Sequence, residues 1–544
     1  MAMDISVYRR EPTAEDVLFA NAQIKEHESA ISAIEGHIAS LHAEINDLRR
    51  EQRQHEQTIR HCKGIATLAR RIPEELLSKI FEHCVEDGYT RAPIIVSHVC
   101  SAWRKAALAP RVWSHVYVNC DAFGGLARTR FWLSMVRQAP LDITVLCGWN
   151  PNWQVTDLMD LLMQHIDQWR TLVIESSTFS QVYRLLLPIV EASAAVPNLR
   201  EVRVDIAAPF DEPVNEDEAD VQSLSRAFAP EKAPRLSRVQ FRCDVVPLLP
   251  VFPSHITDLS LSVGNSPIQR PLSASSLMTI LSGVPSLYTL AIQMPLLYER
   301  PFVPSDDPAR TVSLPVLTSL TLYGPTNLNE FLPHLHTPVL QRLHLRSLED
   351  AGYRQEPVGP SLLRFLAEST PPLELLELHD IDLTPGAFAS AFRALPYLRE
   401  LRLHESSISD ATVQLLHGGG DGEGLCPRLT RLDLRWCGHL NGRALVELVQ
   451  SRKVDVNPDA MVVDGSTPNA DPISEVAVIH CCFVKEQDVL DLAAMTVCRL
   501  IMREEDDYCR SMDCCTNVRY RIRLRLKHLP HSSTGWASRF RLII

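Results

Sequence analysis

The 544-residue chain carries 66 acidic against 54 basic side chains, a net charge of −12, with 45% apolar and 22% charged residues. That length holds two to four domains and that composition a sizeable core, while the acidic balance excludes a general nucleic-acid binder, whose binding domain would be basic. No apolar run reaches the about 18 residues that span a bilayer, the opening Met-Ala-Met-Asp-Ile-Ser lacks a signal-peptide layout, and 14 cysteines without a short repeating framework read as reduced thiols of the cytosol or nucleus.

Between Pro12 and Pro73 there is no proline, and apolar residues recur every seven positions. One seam is Val17, Ile24, Ile31, Ile38, Ile45 and Ile59; the other is Ala20, Ile34, Leu41 and Leu48. These fit the a and d positions of a heptad and predict a coiled-coil helix over 13–65. The pattern weakens at His27, Gln52 and His55. A helix of this length reaches roughly 75 Å, and its seam needs cover, either from a second copy in a homodimer or from the chain itself.

The next segment opens with Ile72-Pro73, where Pro73 stands at a helix start that tolerates its missing N–H. Leu76, Leu77, Ile80 and Phe81 then form an apolar stripe on one helical face. A second helix carries Val99, Cys100, Trp103, Ala107 and Leu108, and Trp113 closes the unit after Pro110. About 45 residues make a small core, yet the segment is rich in large apolar groups able to anchor another protein.

In the order Ile72-Pro73, Glu75-Leu76-Leu77, Ile80-Phe81, Val99-Cys100-x-x-Trp103 and Trp113, residues 68–118 resemble an F-box. The resemblance covers less than a tenth of the chain, and the link between Val85 and Val96 is longer than the family pattern. It implies a three-helix motif docking on the Skp-type adaptor of a Skp–cullin–F-box ubiquitin ligase. Ile72, Pro73, Leu76, Leu77, Ile80, Phe81, Val99, Cys100, Trp103, Leu108 and Trp113 would be the adaptor-binding residues. An ordinary helical hairpin whose leucines fill its own core is the plainer alternative.

Downstream, the string apolar-x-x-apolar-x-apolar returns from Leu199, Leu236, Ile256, Leu287, Leu317, Leu340, Leu373, Leu398 and Leu429. Its alternating end predicts a short strand with one buried face, and helical patterns such as Gly442-Arg-Ala-Leu-Val-Glu-Leu-Val lie between. Spacings of about 20 to 33 residues suit leucine-rich repeats. Leu141-Asp-Ile-Thr-Val-Leu and Trp169-Arg-Thr-Leu-Val-Ile read as the first strands, and Val476-Ala-Val-Ile-His-Cys as a degenerate late copy. The stretch from Leu429 resembles the cysteine-containing class of leucine-rich repeat, which implies a buried thiol at Cys437 in the turn from strand to helix.

Residues flanking the strand leucines make two columns. The first reads Tyr323, Arg346, His379, His404 and Arg435; the second reads Thr321, His344, Glu377, Arg402 and Asp433. Tyr323, Arg346, His379, Arg402, His404 and Arg435 are therefore candidate substrate-binding residues, suited to an acidic or phosphorylated segment. The alternative is a solvated face balanced by Glu377, Glu400 and Asp433.

The acidic stretch from Asp211, Pro304-Ser-Asp-Asp-Pro and the Gly418 loop read as insertions, and residues 453–474 as a flexible connection. In the tail, Arg519, Arg521, Arg523, Arg525 and Lys527 alternate with apolar residues, as in a basic-faced strand or an unordered end. His417-Gly-Gly-Gly has no Gly-x-Ser-x-Gly elbow to accompany it, and phosphate-loop and zinc-helix motifs are absent. His480, Cys481, Cys482, Cys509, Cys514 and Cys515 lack chelating spacing, so no metal or cofactor is expected.

The sum is an α/β chain: a long N-terminal coiled-coil helix over 13–65, a three-helix F-box over 68–118, an α/β leucine-rich-repeat solenoid over 135–496 and a basic tail over 497–544. The expected role is a non-catalytic substrate receptor partnered by a Skp-type adaptor, a cullin and a target protein, in cytoplasm or nucleus, without nucleic acid or membrane. The competing role is a scaffold that uses the same surfaces outside any ligase.

Overall fold

In the computed structural model, described residues are 11–66, 71–122, 124–148, 154–191, 195–206, 226–242, 252–262, 274–293, 311–323, 331–346, 358–379, 381, 383–418, 424–453, 470–479, 481, 483–501 and 542–543. The acidic stretch from Asp211, the Pro304 segment, most of the Gly418 loop and of the 453–474 connection, and the basic residues 519–527 lie outside them. The chain divides into two units. The first comprises Met1–Cys84 with Arg91–Ala109; the second comprises Val85–Thr90 with Pro110–Ile544.

Helix α1 (Ala14–Ala66) fills almost the whole proline-free interval. Its start is fixed by Thr13, whose backbone N–H donates to the Asp16 carboxylate at 3.0 Å while the Thr13 hydroxyl accepts from the Asp16 N–H at 3.3 Å. That exchange satisfies donors a helix N-terminus leaves open. Three shorter helices follow: α2 (Glu74–Glu86), α3 (Ala92–Ser97) and α4 (Ser101–Ala107). The Pro73 carbonyl accepts from Leu76 and Leu77, so the proline sits just outside α2, and Glu74 and Glu75 occupy the positive end of its dipole.

The second unit is built on one open sheet in which neighbours in space are neighbours in sequence. Its early strands are β1 (His115–Asn119), β2 (Leu141–Cys147), β3 (Trp169–Ser176), β4 (Glu201–Ile206), β5 (Arg238–Arg242), β6 (Asp258–Ser262) and β7 (Thr289–Gln293). A two-residue strand β8 (Val312–Ser313) precedes β9 (Ser319–Tyr323), and a second, β10 (Leu335–His336), pairs with β8 beside the main sheet. The main sheet continues through β11 (Arg342–Arg346), β12 (Leu375–His379), β13 (Glu400–His404), β14 (Arg431–Arg435), β15 (Glu475–Ile479) and β16 (Val497–Ile501). All these strands are parallel; β17 (Leu542–Ile543) adds antiparallel to β16. The chain is thus a mixed α/β protein with a long N-terminal helix and a solenoid-like parallel sheet.

Each of the nine apolar strings forms one of these strands, starting two residues past its first apolar residue, and all nine leading residues are essentially inaccessible. Inner leucines such as Leu343 and Leu345, Leu376 and Leu378, and Leu401 and Leu403 are buried as well. Parallel strands need a crossover, supplied by helices such as Val358–Ser369, Pro385–Arg393 and Gly442–Ser451, each with a buried apolar face.

Two strands lie where no repeat is expected. β1 begins inside the 68–118 stretch and ends one residue past it, ahead of residue 135; Val116 and Val118 bury its inner face without a leading leucine string. β16 falls inside the stretch read as tail, with Cys498 buried. The positions two residues after β13, β14 and β15 are Ser406, Cys437 and Cys481, all buried. The residue ahead of the first two, Glu405 or Trp436, takes a positive φ (54° and 58°) to turn the chain off the sheet. The hydrogen bond with Cys481, then burial, raises the Cys437 thiol pKa, so it stays a protonated filler.

Candidate functional site

The adaptor-binding candidates separate into an inner and an outer set. Leu77 and Phe81 of α2 point inward and are buried, and the Phe81 ring lies 5.1 Å from Trp103 of α4, tilted by 56°. The Ser78 hydroxyl is 3.0 Å from the Ala106 carbonyl, and Lys105 reaches Glu74 at 2.9 Å, so α2 and α4 are joined along their length. Arg104 Nε donates to the Ser97 carbonyl at 2.9 Å and ties α3 to α4.

The outer set is Leu76, Ile80, Val99 and Leu108, joined by Ile94 and Ile95 of α3, with exposures between 38% and 56%. Pro73 is exposed, and Ile72, Cys100 and Trp103 are half-buried. Leu76 and Ile80 lie on α2, Ile94 and Ile95 on α3, and Val99 and Leu108 in the turns on either side of α4, a concentration of exposed apolar side chains that makes this a candidate interaction surface. Ile94 and Ile95 escape sequence reading because they fall in the lengthened link. Trp113 belongs to neither set. It is buried in the second unit, with its ring 4.7 Å from Trp132 and 5.7 Å from Phe131.

On the sheet face opposite the buried leucines, β9 and β11 to β14 set the first column in register: Tyr323 beside Arg346, then His379, His404 and Arg435. The adjoining column centres on Glu377, which is 7% exposed. Its carboxylate accepts from the Tyr323 hydroxyl at 3.0 Å, His344 Nδ1 at 3.0 Å and Arg402 Nη1 at 3.3 Å. Burial alone would raise its pKa, but the His344 and Tyr323 donors and the neighbouring imidazole charge overturn that and hold it at about 2. Burial, then the Glu377 charge, pushes the Tyr323 phenol up, so it remains a donor.

The arginines of this face are largely spoken for. Arg402 Nε also donates to Glu400 at 2.6 Å, and Arg435 grips Asp433 with two bonds of 2.8 and 2.6 Å. Arg346 Nε has no hydrogen-bond partner among the described residues. The six substrate-binding candidates are therefore brought together, but as a compensated network rather than an open cationic strip.

His404 is 9% exposed, stacks edge-on against His379 at 5.2 Å, and has an unpartnered Nε2 among the described residues. Burial, then the charges of His379 and Arg435, lower its pKa to about 4. A depressed histidine is neutral in the fold while its unfolded counterpart, near 6.5, takes a proton first. Stability is therefore full above pH 6.5 and falls between pH 6.5 and 4, by up to about 3 kcal/mol. Urea unfolding across that window should show the loss in the wild type and a flatter profile in His404→Asn; equal slopes would contradict the assignment. Glu377, with a depressed carboxyl, contributes stability above its unfolded pKa and loses it only as the pH falls towards 2.

Among the described residues no group of three or more His, Cys, Asp or Glu is placed to hold a metal ion, and no helix is long and apolar enough to cross a membrane. Of His480, Cys481, Cys482, Cys509, Cys514 and Cys515, Cys481 alone is among the described residues, and it is buried. The residue that sequence reading misses is Arg452. It is buried with its guanidinium against the carbonyls of Leu416, Leu425, Cys426 and Leu429, and nothing but its place after a helix signals it. No family model matches the chain, and no curated protein matches it.

Proposed function

We propose that this chain is the non-catalytic substrate-receptor subunit of a Skp–cullin–F-box ubiquitin ligase. Residues 68–118 would dock on the Skp-type adaptor and the leucine-rich repeats would hold a target protein, in cytoplasm or nucleus. The observation that carries the reading is the outward set Leu76, Ile80, Ile94, Ile95, Val99 and Leu108, which leaves a greasy surface on a module too small to need it for its own core. The inner residues Leu77, Phe81 and Trp103 then serve to hold that surface in shape rather than to touch the adaptor.

The face carrying Tyr323, Arg346, His379, Arg402, His404 and Arg435 is the target-binding candidate. Glu377, Glu400 and Asp433 already occupy Arg402 and Arg435, whereas Arg346 has no carboxylate partner among the described residues, so an acidic target group would be met through the outer nitrogens of Arg346, its Nε being buried. No residue performs chemistry in this role: tethering a target beside a charged enzyme raises its effective concentration and supplies the rate. Mixing the full-length chain with purified Skp-type adaptor and cullin should give a ternary complex on gel filtration. Separate elution of all three at micromolar concentration would overturn the proposal.

A further inference from the structure

Helix α1 keeps its apolar seam uncovered. Val17, Ile24, Ile31, Ile34, Ile38, Leu41, Ile45, Leu48 and Ile59 are each 45–59% exposed, so no described part of the first unit folds over them. A helix whose apolar residues repeat every seven positions over this length buries them against another helix. We infer that α1 pairs with α1 of a second copy of this chain in an antiparallel coiled coil, centred between Ala39 and Ser40.

The choice of a second copy, and of its direction, comes from the order of residues along the helix. With Val17 at an a position, the seam interruptions His27 and Gln52 lie equally far from that midpoint. An antiparallel copy sets each a residue against a d residue, so Ile38 meets Leu41, Ile34 meets Ile45 and Ile31 meets Leu48. His27 then meets Gln52, an imidazole against an amide that can exchange a hydrogen bond with it. A parallel copy would instead stack His27 on His27, Gln52 on Gln52 and His55 on His55.

The flanks agree. The titratable e positions read Glu28 and Glu35 in the first half and His42, Arg49, Glu56 and Lys63 in the second; the titratable g positions past the first turn read His37, then Glu44 and Glu51. Antiparallel pairing runs e beside e and g beside g. Acidic Glu28 and Glu35 therefore lie along basic Arg49 and His42 of the other copy, and His37 lies along Glu44. A parallel pair runs e beside g, which sets Glu44 beside Arg49 but Glu51 beside Glu56 and His37 beside His42, so attraction and repulsion cancel. Charges at these positions set orientation. The inference stands apart from the ligase proposal, since it uses only α1.

Light scattering on the full-length protein should return twice the 61.2 kDa chain mass. Ile38→Asp combined with Leu41→Asp, which sets like charges face to face at the centre, should weaken self-association at least 100-fold without moving the unfolding of the repeats. Direction is read by thiol oxidation, because Cys62 is an exposed free thiol at a d position. In the antiparallel pair it faces Val17, so a Val17→Cys variant should give a disulfide between the introduced thiol and the partner's Cys62, located by peptide mapping. A monomer at micromolar concentration overturns the pairing. A Cys62–Cys62 crosslink in the wild type, with none in the variant to position 17, overturns the direction.

Discussion

Replacing Arg452 by leucine should cost the repeat unit roughly 3–5 kcal/mol. The guanidinium donates to the Leu416 carbonyl at 2.6 Å, Leu425 at 3.0 Å, Leu429 at 3.1 Å and Cys426 at 3.2 Å, and the residue is 2% exposed. These carbonyls belong to the turn after helix Asp410–Gln414 and to the approach to β14, which have too few backbone donors of their own. The Cys426 carbonyl also accepts from Leu429 N–H, but leucine at 452 would leave the others buried and unmet. Burial lowers the guanidinium pKa to about 10, so the group stays charged at neutral pH and each bond is charge-assisted. A lysine has the charge but not the planar fork, and should recover less than half the loss. Urea denaturation followed by circular dichroism measures both; a loss under 1 kcal/mol for the leucine variant would show that the carbonyls find other donors.

The second large effect is on adaptor binding. Leu76→Asp with Ile80→Asp should weaken the complex at least 100-fold, since each is an apolar anchor whose removal at an interface centre costs about 2 kcal/mol or more. Both side chains lie one helical turn apart on the exposed side of α2, so helix content and thermal unfolding should not change. Leu77→Asp is the contrasting control: it puts a carboxylate into a buried position and should unfold the module, losing binding for a different reason. Titration calorimetry with purified adaptor separates them. Unaltered affinity in the Leu76, Ile80 double variant, with the fold intact, would remove the surface from consideration.

Long-period features were legible from residues alone. The interval between Pro12 and Pro73 bounds α1 to within a few residues, because nothing between them breaks a helix. The leucine strings locate nine strands, because period-two alternation after a fixed apolar residue has one meaning in a parallel array. Strand β1 escaped because five residues with Val116 and Val118 inward carry too little pattern to stand out. Which of two adjacent leucines faces outward was also hidden: Leu76 and Leu77 differ in chain position by one, and only the packing of Phe81 on Trp103 selects Leu77 for the inside. The compensation of Arg435 by Asp433 was there to be read, since alternate residues of a strand share a face. Glu377 as a hub was not, because its donors come from three other strands. Arg452 gives no periodic signal at all; a cation after a helix is commonly a solvated partner for the dipole.

Because every strand of the main sheet joins the one next to it in sequence, no contact of the sheet spans the chain from end to end. Such an array stores its cohesion at successive junctions rather than in a shared centre. Damage at one junction, as at Arg452, can therefore melt its neighbourhood while distant repeats survive. Heating should then release the protein in more than one step, with a single midpoint describing only part of the molecule.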